Sequence, residues 1–494
     1  MTPVGRWCAV TAIPAPRLEH FGQHLDLDGL HVYYRGPDGA TLDPPAGRPI
    51  ELDVRTLMTP SDRDAGEPAS TLRVDEHEVS VRISALNTDP VFFAADRMRG
   101  RFAYFTDLFL APIVLPALGM PVELVDGRPT HPRGTLLRGV DRLVHGTVTT
   151  TRRADGHPAQ WTTGTTEEPD PLGGFLASHR TDPLAAGEAQ LEALAARIAR
   201  IHAADARTTA TRPGFATLLS GGIDSGTVTW LAATSGVPVT PYSIGTPWGD
   251  EFEAAAELCA HLGIELRPVQ LAEDDIIASI PEAVRWLAAA DAENVEVALT
   301  ATSAQRLGVV PPGSHVLTGY GSDLINAGLY QPFADPAELT AQVLAAVDRT
   351  RFSNELSNRM ALAYGTAMDH PFWSWPVMRV ALETAPECKV REGREKFHLR
   401  TAMQSRVPSG VAWRRKVAVH HGGGLQQGVA RRLESETGVT DRAALYRACF
   451  AELVDAAAEG DLDPADHWSL FERAVRRVRA ASPASARPRE GAAV

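Results

Sequence analysis

The residues best suited to chemistry in this chain form the sequence Ser-Gly-Gly-Ile-Asp-Ser at positions 220–225. An apolar run at residues 215–219 precedes it, and a helix-compatible stretch at residues 226–233 follows. A strand that ends at two glycines and turns directly into a helix aims backbone N–H groups and the positive helix end at one point, which predicts an anion site. Ser220 and Ser225 add hydroxyl donors, and Asp224 is an oxygen ligand suited to magnesium. A tight strand–helix junction without any ligand is the simpler alternative.

A second turn of this kind, Tyr320-Gly321-Ser322-Asp323, follows a short predicted strand at residues 315–319. Because both turns follow strands, we expect Asp323 to reach the crevice that Asp224 faces. Two carboxylates that meet there suit a magnesium ion between phosphate oxygens. Either aspartate is also compatible with a simple helix cap.

Lysine is rare in this chain. Of 48 basic residues only Lys389, Lys396 and Lys416 are lysines, and all three lie in one short stretch. Two of these compact ammonium groups are suited to balancing phosphate charge at the two turns, whereas Lys389, the least motif-like of the three, is also compatible with accidental clustering. No lysine precedes position 389 and no GxxxxGK[ST] sequence occurs, so the site is not a Walker A loop. These residues predict a nucleoside triphosphate site, with cleavage at the α- or the γ-phosphate left open.

Composition limits the classes of protein and partner. A chain of 494 residues is too long for one core and favours two or more domains. The net charge of −13 argues against nucleic acid or an anionic membrane surface as a partner. No apolar run reaches the roughly 18 residues of a membrane span, and no signal peptide is evident at the start. Four dispersed cysteines without a CxxC pair favour a reducing, cytoplasmic location.

The hydrophobic pattern predicts two domains. Residues 1–165 favour a mainly antiparallel β domain, with strands at 78–83, 91–95, 101–106 and 140–149. Residues 166–182 form a predicted linker, and residues 481–494 a disordered tail. Between them, residues 183–480 predict strands at 215–219, 237–245, 264–271 and 315–319 that alternate with helices. That alternation is typical of an α/β fold with a doubly wound parallel sheet. Further helices are predicted at 183–203, 251–262, 273–307 with a break at Pro281, 352–365, 376–383 and 393–404.

These motifs resemble a known family. Residues 220–225 resemble the SGGxDS loop of the ATP pyrophosphatases, and residues 185–480 resemble the synthetase domain of class B asparagine synthetase relatives. Within that family the resemblance is to the β-lactam synthetase and carbapenam synthetase branch. The other segments that carry it are SIGT at 243–246 with Glu251 and Phe252, LTGYGSD at 317–323, GREK at 393–396, and Arg415-Lys416.

The first domain is similar to the glutaminase domain of these enzymes, a fold with an N-terminal nucleophile, through residues 101–107 and 139–146. It departs at the second position, where the glutaminases have cysteine and this chain has Thr2. The resemblance therefore implies a degenerate glutaminase-like domain that does not release ammonia from glutamine.

The resemblance also implies roles for single residues. Asp224 and Asp323 would bind Mg²⁺. Tyr320 stands where asparagine synthetases have glutamate, and the β-lactam branch pairs this tyrosine with a glutamate on a following helix, matched here by Glu355. Lys416 matches the catalytic lysine of that branch. The residues implied in ATP and pyrophosphate binding are Ser220, Gly221, Gly222, Asp224, Ser225 and Lys396.

The substrate contacts are less defined by motif. Glu296 and Gly321 are the candidates. Glu296 belongs to an acidic cluster with Asp291 and Glu293 that either faces a bound cation or amine or forms a solvated acidic face.

The residue types make chemical sense together. Once a substrate carboxylate has attacked the α-phosphate, the acyl adenylate must be attacked by an amine, and a phenol near a carboxylate can relay the amine proton. An ammonium at the carbonyl can stabilise the oxyanion. We therefore expect an ATP- and Mg²⁺-dependent, AMP-forming ligase that closes an intramolecular amide, preferably a β-lactam from a β-amino acid in antibiotic-type metabolism.

Two alternatives remain open at this point. One is an intermolecular amide ligase, including asparagine synthesis and peptide macrocyclisation, although Thr2 and Tyr320 count against asparagine synthesis. The other is an inactive nucleotide-binding scaffold. We expect a small amino-acid substrate, no nucleic-acid or membrane partner, and leave a homodimer open.

Overall fold

The computed structural model describes residues 5–37, 41–42, 48–55, 70–86, 89–127, 129, 131, 133–154, 157–170, 172, 179–208, 214–355, 357–415 and 424–481. Three predictions fall outside these residues: the substitution at Thr2, the role of Lys416 and the tail from residue 482 onward. The N-terminal part is defined here as residues 5–170, and the C-terminal part as residues 179–481.

The N-terminal part contains two antiparallel sheets. One has the order β2-β3-β1-β8-β7-β9 and the other the order β11-β10-β6-β5-β4. The strands are β1 (Trp7–Thr11), β2 (Gln23–Leu27), β3 (Leu30–Arg35), β4 (Ile50–Asp53), β5 (Thr71–Val74), β6 (Glu78–Ile83), β7 (Phe92–Asp96), β8 (Arg101–Phe105), β9 (Val140–Arg142), β10 (Thr147–Ala154) and β11 (His157–Glu167). A helix α1 (Ala111–Leu118) and 3₁₀ helices Pro16–His20 and Leu108–Leu110 complete this part. Antiparallel β structure was expected here, but the predicted strand at 140–149 is two strands separated by a turn in which Gly146 has a φ of 63°.

Side chains that alternate along the strands face two different cores. Val10 and Phe102 point into the space between the two sheets, together with Val81 of the second sheet. Trp7 and Phe105 point to the opposite face of the six-stranded sheet. This second face is covered by helices of the C-terminal part, so both parts contribute to one hydrophobic core.

The C-terminal part is built on a five-stranded sheet with the order β14-β13-β12-β15-β16, in which every neighbouring pair is parallel. The strands are β12 (Phe215–Leu218), β13 (Val239–Gly245), β14 (Arg267–Gln270), β15 (His315–Thr318) and β16 (Ala367–Asp369). The expected parallel sheet is confirmed. The order reverses between β12 and β15, and the carboxyl ends of strands at such a reversal are where ligands bind in doubly wound folds.

Helices connect these strands and extend beyond them. They are α2 (Pro183–Thr208), α3 (Ile223–Thr234), α4 (Phe252–Leu262), α5 (Glu273–Ala278), α6 (Ile280–Leu287), α7 (Ala292–Arg306), α8 (Ser322–Ile325), α9 (Pro336–Thr350), α10 (Arg359–Ala363), α11 (Trp375–Leu382), α12 (Pro386–Lys389), α13 (Phe397–Met403) and α14 (Ser409–Ala412). Three C-terminal helices follow at Leu425–Thr437, Arg442–Glu459 and His467–Ala481. Within the described ranges, no helix is long and apolar enough to cross a membrane.

Two helix predictions need correction. Residues 273–307 form three helices, and the sharper interruption lies at Ala288, which has a left-handed φ of 51°, while Pro281 stands in the first turn of α6. The predicted helix at 352–365 is restricted to α10. Residues 352–355 are not helical, and Asn354 among them has a left-handed φ of 58°.

Candidate active site

The two predicted turns meet at the reversal of the sheet. Strands β12 and β15 pair in parallel with Leu218 opposite Thr318, so the turns that follow them start side by side. A Cβ atom at Gly319 would lie only 2.4 Å from the backbone N of Ser225, which explains why glycine stands at this position. The sequence elements at 220–225 and 320–323 therefore form the two walls of one crevice.

The first wall is a preformed donor site. Gly221 adopts a left-handed φ of 70°, and Gly222, the N-cap residue just before α3, provides no side-chain cap. Within the turn, the N–H of Ser220 donates to Ser225 Oγ at 3.1 Å, and the two serine hydroxyls are also 3.1 Å apart. The first N–H groups of α3 and these hydroxyls are suited to binding an anion such as phosphate.

Lys396 joins the two walls. Its ammonium lies 2.5 Å from Asp323 Oδ1 and forms a second short ion pair with Asp224 Oδ2, although its side chain is only 1% exposed. Burial alone would lower the pKa of Lys396, but Asp224 and Asp323 outweigh burial and raise it, so the ammonium stays charged. Residues 172 positions apart are thereby brought together, as the GREK motif implied.

A divalent cation fits this carboxylate pair. Asp224 Oδ1 is buried and accepts no hydrogen bond from any described residue, so one oxygen remains open to a ligand. Among the described residues, no group of three or more histidine, cysteine or acidic side chains forms a metal cluster. Two carboxylates are nonetheless the usual protein share of a magnesium site, because Mg²⁺ keeps several waters and takes its other ligands from phosphate.

Tyr320 and Glu355 form a second pair at this crevice. The Tyr320 hydroxyl and the Glu355 carboxylate lie close enough for each to shift the pKa of the other. Burial raises the pKa of Tyr320 well above its ordinary value, and the Glu355 charge adds to that rise. Burial also raises the pKa of Glu355, while the neighbouring Tyr320 hydroxyl opposes that rise. The phenol therefore stays protonated near neutral pH, and the carboxylate is a stronger base than an exposed glutamate.

Tyr320 is held by Thr318, the last residue of β15, and by His370, the residue just after β16. Its backbone N–H donates to Thr318 Oγ1 at 3.2 Å, and that hydroxyl lies 2.6 Å from His370 Nδ1. The His370 ring lies against the Tyr320 ring with centroids 5.7 Å apart. His370 was missed by the sequence reasoning, because its place beside Tyr320 depends on the pairing of two strands that are far apart in the chain.

Glu355 lies in a turn, not on a helix. Ser353 Oγ accepts a hydrogen bond from the Glu355 N–H at 3.4 Å, and Asn354 just before it is left-handed. Asn354 Nδ2 donates to the carbonyl oxygen of Leu287 at 2.8 Å. These tertiary contacts override the helical composition of residues 352–356, which is the physical reason for the correction.

The two substrate candidates are placed differently from expectation. Glu296 is 1% exposed, and its Oε1 accepts from Arg442 at 2.5 Å and from the Tyr446 hydroxyl at 3.0 Å. Because its carboxylate is buried and paired inside the protein, we now interpret Glu296 as a structural residue and not as a substrate contact. Gly321 does border the crevice, where its φ of 91° and a Trp373 side chain 3.3 Å from any added Cβ require glycine.

The segment that leads to Lys416 lies against the first wall. Arg414 Nη2 pairs with Glu251 Oε1 at 3.1 Å, and a Cβ at Gly221 would lie 2.8 Å from Arg414 Nη1. Arg400 Nη1 holds the same segment by donating to the carbonyl oxygens of Ala412 and Arg414 at 2.9 Å each. Burial raises the pKa of Glu251 to about 7, although Arg414 opposes the rise. Arg414 and Arg400 were not singled out from the sequence.

The parallel sheet, its reversal between β12 and β15 and the two turns that follow these strands define the ligand-binding class of doubly wound α/β proteins. The asparagine synthase family profile matches residues 199–355 and 338–477, which together span more than half of the chain. The chain belongs to the asparagine synthase family.

Two curated proteins are similar in sequence to this chain. Carboxyethyl-arginine beta-lactam-synthase from Streptomyces clavuligerus is 29% identical over 252 residues, which cover 50% of this chain and 48% of the relative. Glutamine-hydrolyzing asparagine synthetase B from Escherichia coli K12 is 24% identical over 290 residues, which cover 50% of this chain and 51% of the relative. The chain thus spans about half the length of the curated relatives it matches. Among solved structures, NMN synthetase from Francisella tularensis aligns at 16% identity and a TM-score of 0.26, over 60% of this chain and 95% of that one, a likeness too distant to bear on function.

Proposed function

We propose that the chain is an ATP-dependent, AMP-forming ligase that adenylates a substrate carboxylate and then closes an intramolecular amide. The proximity of Tyr320 and Glu355 carries the proposal, because it puts a candidate proton relay beside the candidate ATP site. The product that fits best is a β-lactam formed from a β-amino acid. The similarity to a relative named as a β-lactam synthase supports this choice.

In the first step, a substrate carboxylate oxygen attacks the α-phosphorus and pyrophosphate leaves. The N–H groups at the start of α3, with the Ser220 and Ser225 hydroxyls, hold the phosphates, and Lys396 supplies a fixed positive charge. Magnesium, when bound by Asp224 and Asp323, would supply further neutralisation of phosphate charge.

In the second step, the substrate amine attacks the acyl carbonyl and AMP leaves. Tyr320 takes a proton from the amine while passing its own proton to Glu355, whose raised pKa suits it to be the final acceptor. The proposed role of Lys416, from the family motif, is to stabilise the oxyanion. Holding both reacting groups of one molecule in the crevice makes the attack unimolecular, a large gain in effective concentration.

The N-terminal part takes no role in ammonia production in this proposal. We assign residues 1–165 to a degenerate glutaminase-like domain, residues 166–182 to a linker and residues 183–480 to the synthetase domain. The antiparallel sheets are consistent with that assignment.

The test is mass spectrometry of the products formed from ATP, Mg²⁺ and a panel of β-amino acids. Carboxyethyl-arginine belongs in the panel, because a relative is named for it. Loss of one water from a single substrate, with one AMP and one pyrophosphate released, is the expected result. Condensation with a second amine would instead favour the intermolecular ligase that the similarity to asparagine synthetase B leaves as the second candidate. No turnover of ATP with any acid would overturn both.

A further inference from the structure

We propose that the N-terminal part positions the catalytic glutamate, with Arg142 as the main positioning residue. The proposal rests on the proposed function, since it assigns Glu355 to the proton relay. It gives the N-terminal part a task in amide formation that does not depend on ammonia.

Glu355 lies on an irregular segment that needs external support. The Glu355 loop, defined here as residues 351–355, connects α9 to the residues before α10 and contains no complete helical turn. A proton acceptor must be held within about 0.5 Å of its productive position, and sites on loops are less precise than sites on helices or strands. Contacts from neighbouring elements therefore decide where the Glu355 carboxylate lies.

Arg142 makes the most direct of these contacts. Its Nη1 donates a short hydrogen bond to the carbonyl oxygen of Phe352, three residues before Glu355. Arg142 is 7% exposed and makes no ion pair with any described carboxylate. Burial lowers its pKa to about 10, so it remains charged at neutral pH. The Arg142 guanidinium also lies over the Phe92 ring, 6.0 Å from its centroid, but the Phe352 carbonyl oxygen is the one hydrogen-bond acceptor found for it among the described residues. A buried charge held in this way constrains the loop, because losing the carbonyl leaves the guanidinium without a hydrogen-bond acceptor.

Further residues of the N-terminal part hold the same loop. Arg351 donates to both carboxylate oxygens of Asp170, at 3.2 and 3.1 Å, and to the carbonyl oxygen of Ala85 at 3.2 Å. The His145 ring meets the Phe352 ring edge to face, with centroids 4.9 Å apart. Together with Arg142, these contacts reach the loop from the end of β9, from the residues after β6 and from the segment after β11.

The C-terminal part holds the loop from the other side. Asn354 Nδ2 donates to the carbonyl oxygen of Leu287, at the end of α6, and Asn354 itself is held in a left-handed conformation. The peptide from Phe352 to Asn354 is thus fixed between the two parts. Weakening the Arg142 contact should release the loop without disturbing Ser220, Asp224 or Lys396, none of which it touches.

The test separates adenylation from amide formation in the full chain. Arg142→Met should leave ATP–pyrophosphate exchange within about twofold, while amide formation from the β-amino acid turned over in the panel falls at least about tenfold. Arg142→Lys keeps a charged donor and should recover part of the loss. Hydrogen–deuterium exchange of residues 351–355 should rise in Arg142→Met, a readout that needs no substrate. Arg101→Met is the matched control. It removes an arginine at the start of β8 that contacts the Leu118 carbonyl oxygen, and it should change neither pyrophosphate exchange, amide formation nor hydrogen–deuterium exchange of the loop.

Several outcomes would overturn the proposal. It fails if Arg142→Met leaves amide formation unchanged, or if exchange and amide formation fall by the same factor. If Arg142→Met does not fold, Asp170→Asn takes its place, because Asp170 is 45% exposed and an asparagine can still accept from the Leu172 N–H while its contact with Arg351 weakens. The same selective loss is then expected at smaller size, and its absence would exclude the proposal. Glu355→Gln separates the two claims: full amide formation by that variant would remove Glu355 from the proton relay, whatever Arg142 does, whereas no amide formation by the wild-type chain would remove the proposed function.

Discussion

The ammonium of Lys396 lies 2.5 Å from Asp323 Oδ1 in a site where the lysine side chain is almost wholly buried. Lys396 stands at the start of α13 in a left-handed conformation, with a φ of 56°. A Cβ at Gly328 would lie 2.1 Å from Asp323 Oδ1 and 2.6 Å from Lys396 Cε, so the backbone packs directly on the ion pair. The pair fixes the distance between the two walls of the crevice before any nucleotide binds.

Lys396→Met is therefore expected to abolish ATP–pyrophosphate exchange and to destabilise the fold. Removing one partner of a buried ion pair leaves charge without compensation, at a typical cost of about 3–5 kcal/mol. Chemical denaturation measures the stability, and isotope exchange measures adenylation. Lys389→Met changes a buried lysine outside the crevice and controls for the loss of a lysine in this stretch. Exchange at the normal rate in Lys396→Met would remove Lys396 from the ATP site.

Tyr320→Phe should separate the two half-reactions. The phenyl ring keeps its packing against His370, whereas the hydroxyl beside Glu355 is lost. Pyrophosphate exchange should stay near the wild-type rate, and amide formation should fall by about 10²–10⁴-fold, the usual contribution of a general base. Quantifying AMP and cyclised product in one assay checks both, and undiminished product would exclude Tyr320 as the relay.

The rate of amide formation should rise with pH through the titration of Glu355. Burial raises the pKa of Glu355, so its basic form appears at higher pH than for an ordinary glutamate, and the relay needs that basic form. The apparent pKa of the rising limb of the pH–rate profile should therefore lie above the ordinary glutamate pKa of about 4.3. Single-turnover rates measured from the preformed adenylate isolate this step. In Glu355→Gln the limb should disappear, and its persistence would assign the titration to another group.

The sequence predicted local features of the site better than its long-range contacts. The turns at 220–225 and 320–323 are defined by glycines at strand ends, and the alternation of strands and helices fixed which edge of the sheet they share. Their convergence with Lys396 followed from the motifs. The partners of Glu296 and Phe352 could not be predicted from the motifs. Arg442 lies 146 residues from Glu296, and Arg142 lies 210 residues from Phe352. No periodic pattern encodes such pairs, and Glu296 was accordingly misplaced.

The conformation of the Glu355 loop also could not be predicted from the local sequence. Residues 352–356 have a composition compatible with helix, and propensity is a weak prior that tertiary contacts override. Asn354 adopts its left-handed conformation while bonding the Leu287 carbonyl oxygen, and Arg351 is drawn toward Asp170. Both contacts come from elements distant in sequence, so local pattern could not predict the turn.

Asp369, at the end of β16 and next to His370, should govern acid stability. Its oxygens lie 2.8 Å from His315 Nε2, 3.1 Å from Arg197 Nη2 and 3.3 Å from Arg55 Nη1. Burial alone would raise the pKa of Asp369, but the hydrogen bond with His315 and the charges of the two arginines outweigh it and lower the pKa far below its ordinary value. The stabilisation is thus fully present above the unfolded-state pKa of about 3.9 and is lost as the pH falls below that value.

Asp369→Asn should accordingly lower the free energy of unfolding at pH 7 by about 3–5 kcal/mol, because it removes the buried charge that His315, Arg197 and Arg55 share, although Arg55 keeps its ion pair with Asp89. The difference between variant and wild type should shrink as the pH falls below about 4, where the wild-type carboxylate begins to lose its advantage. Denaturant titrations from pH 7 to pH 3 measure this difference. Glu253→Gln, which changes an exposed carboxylate on α4, should show no such convergence. A pH-independent difference for Asp369→Asn would mean that the residue stabilises the fold by shape and not by charge.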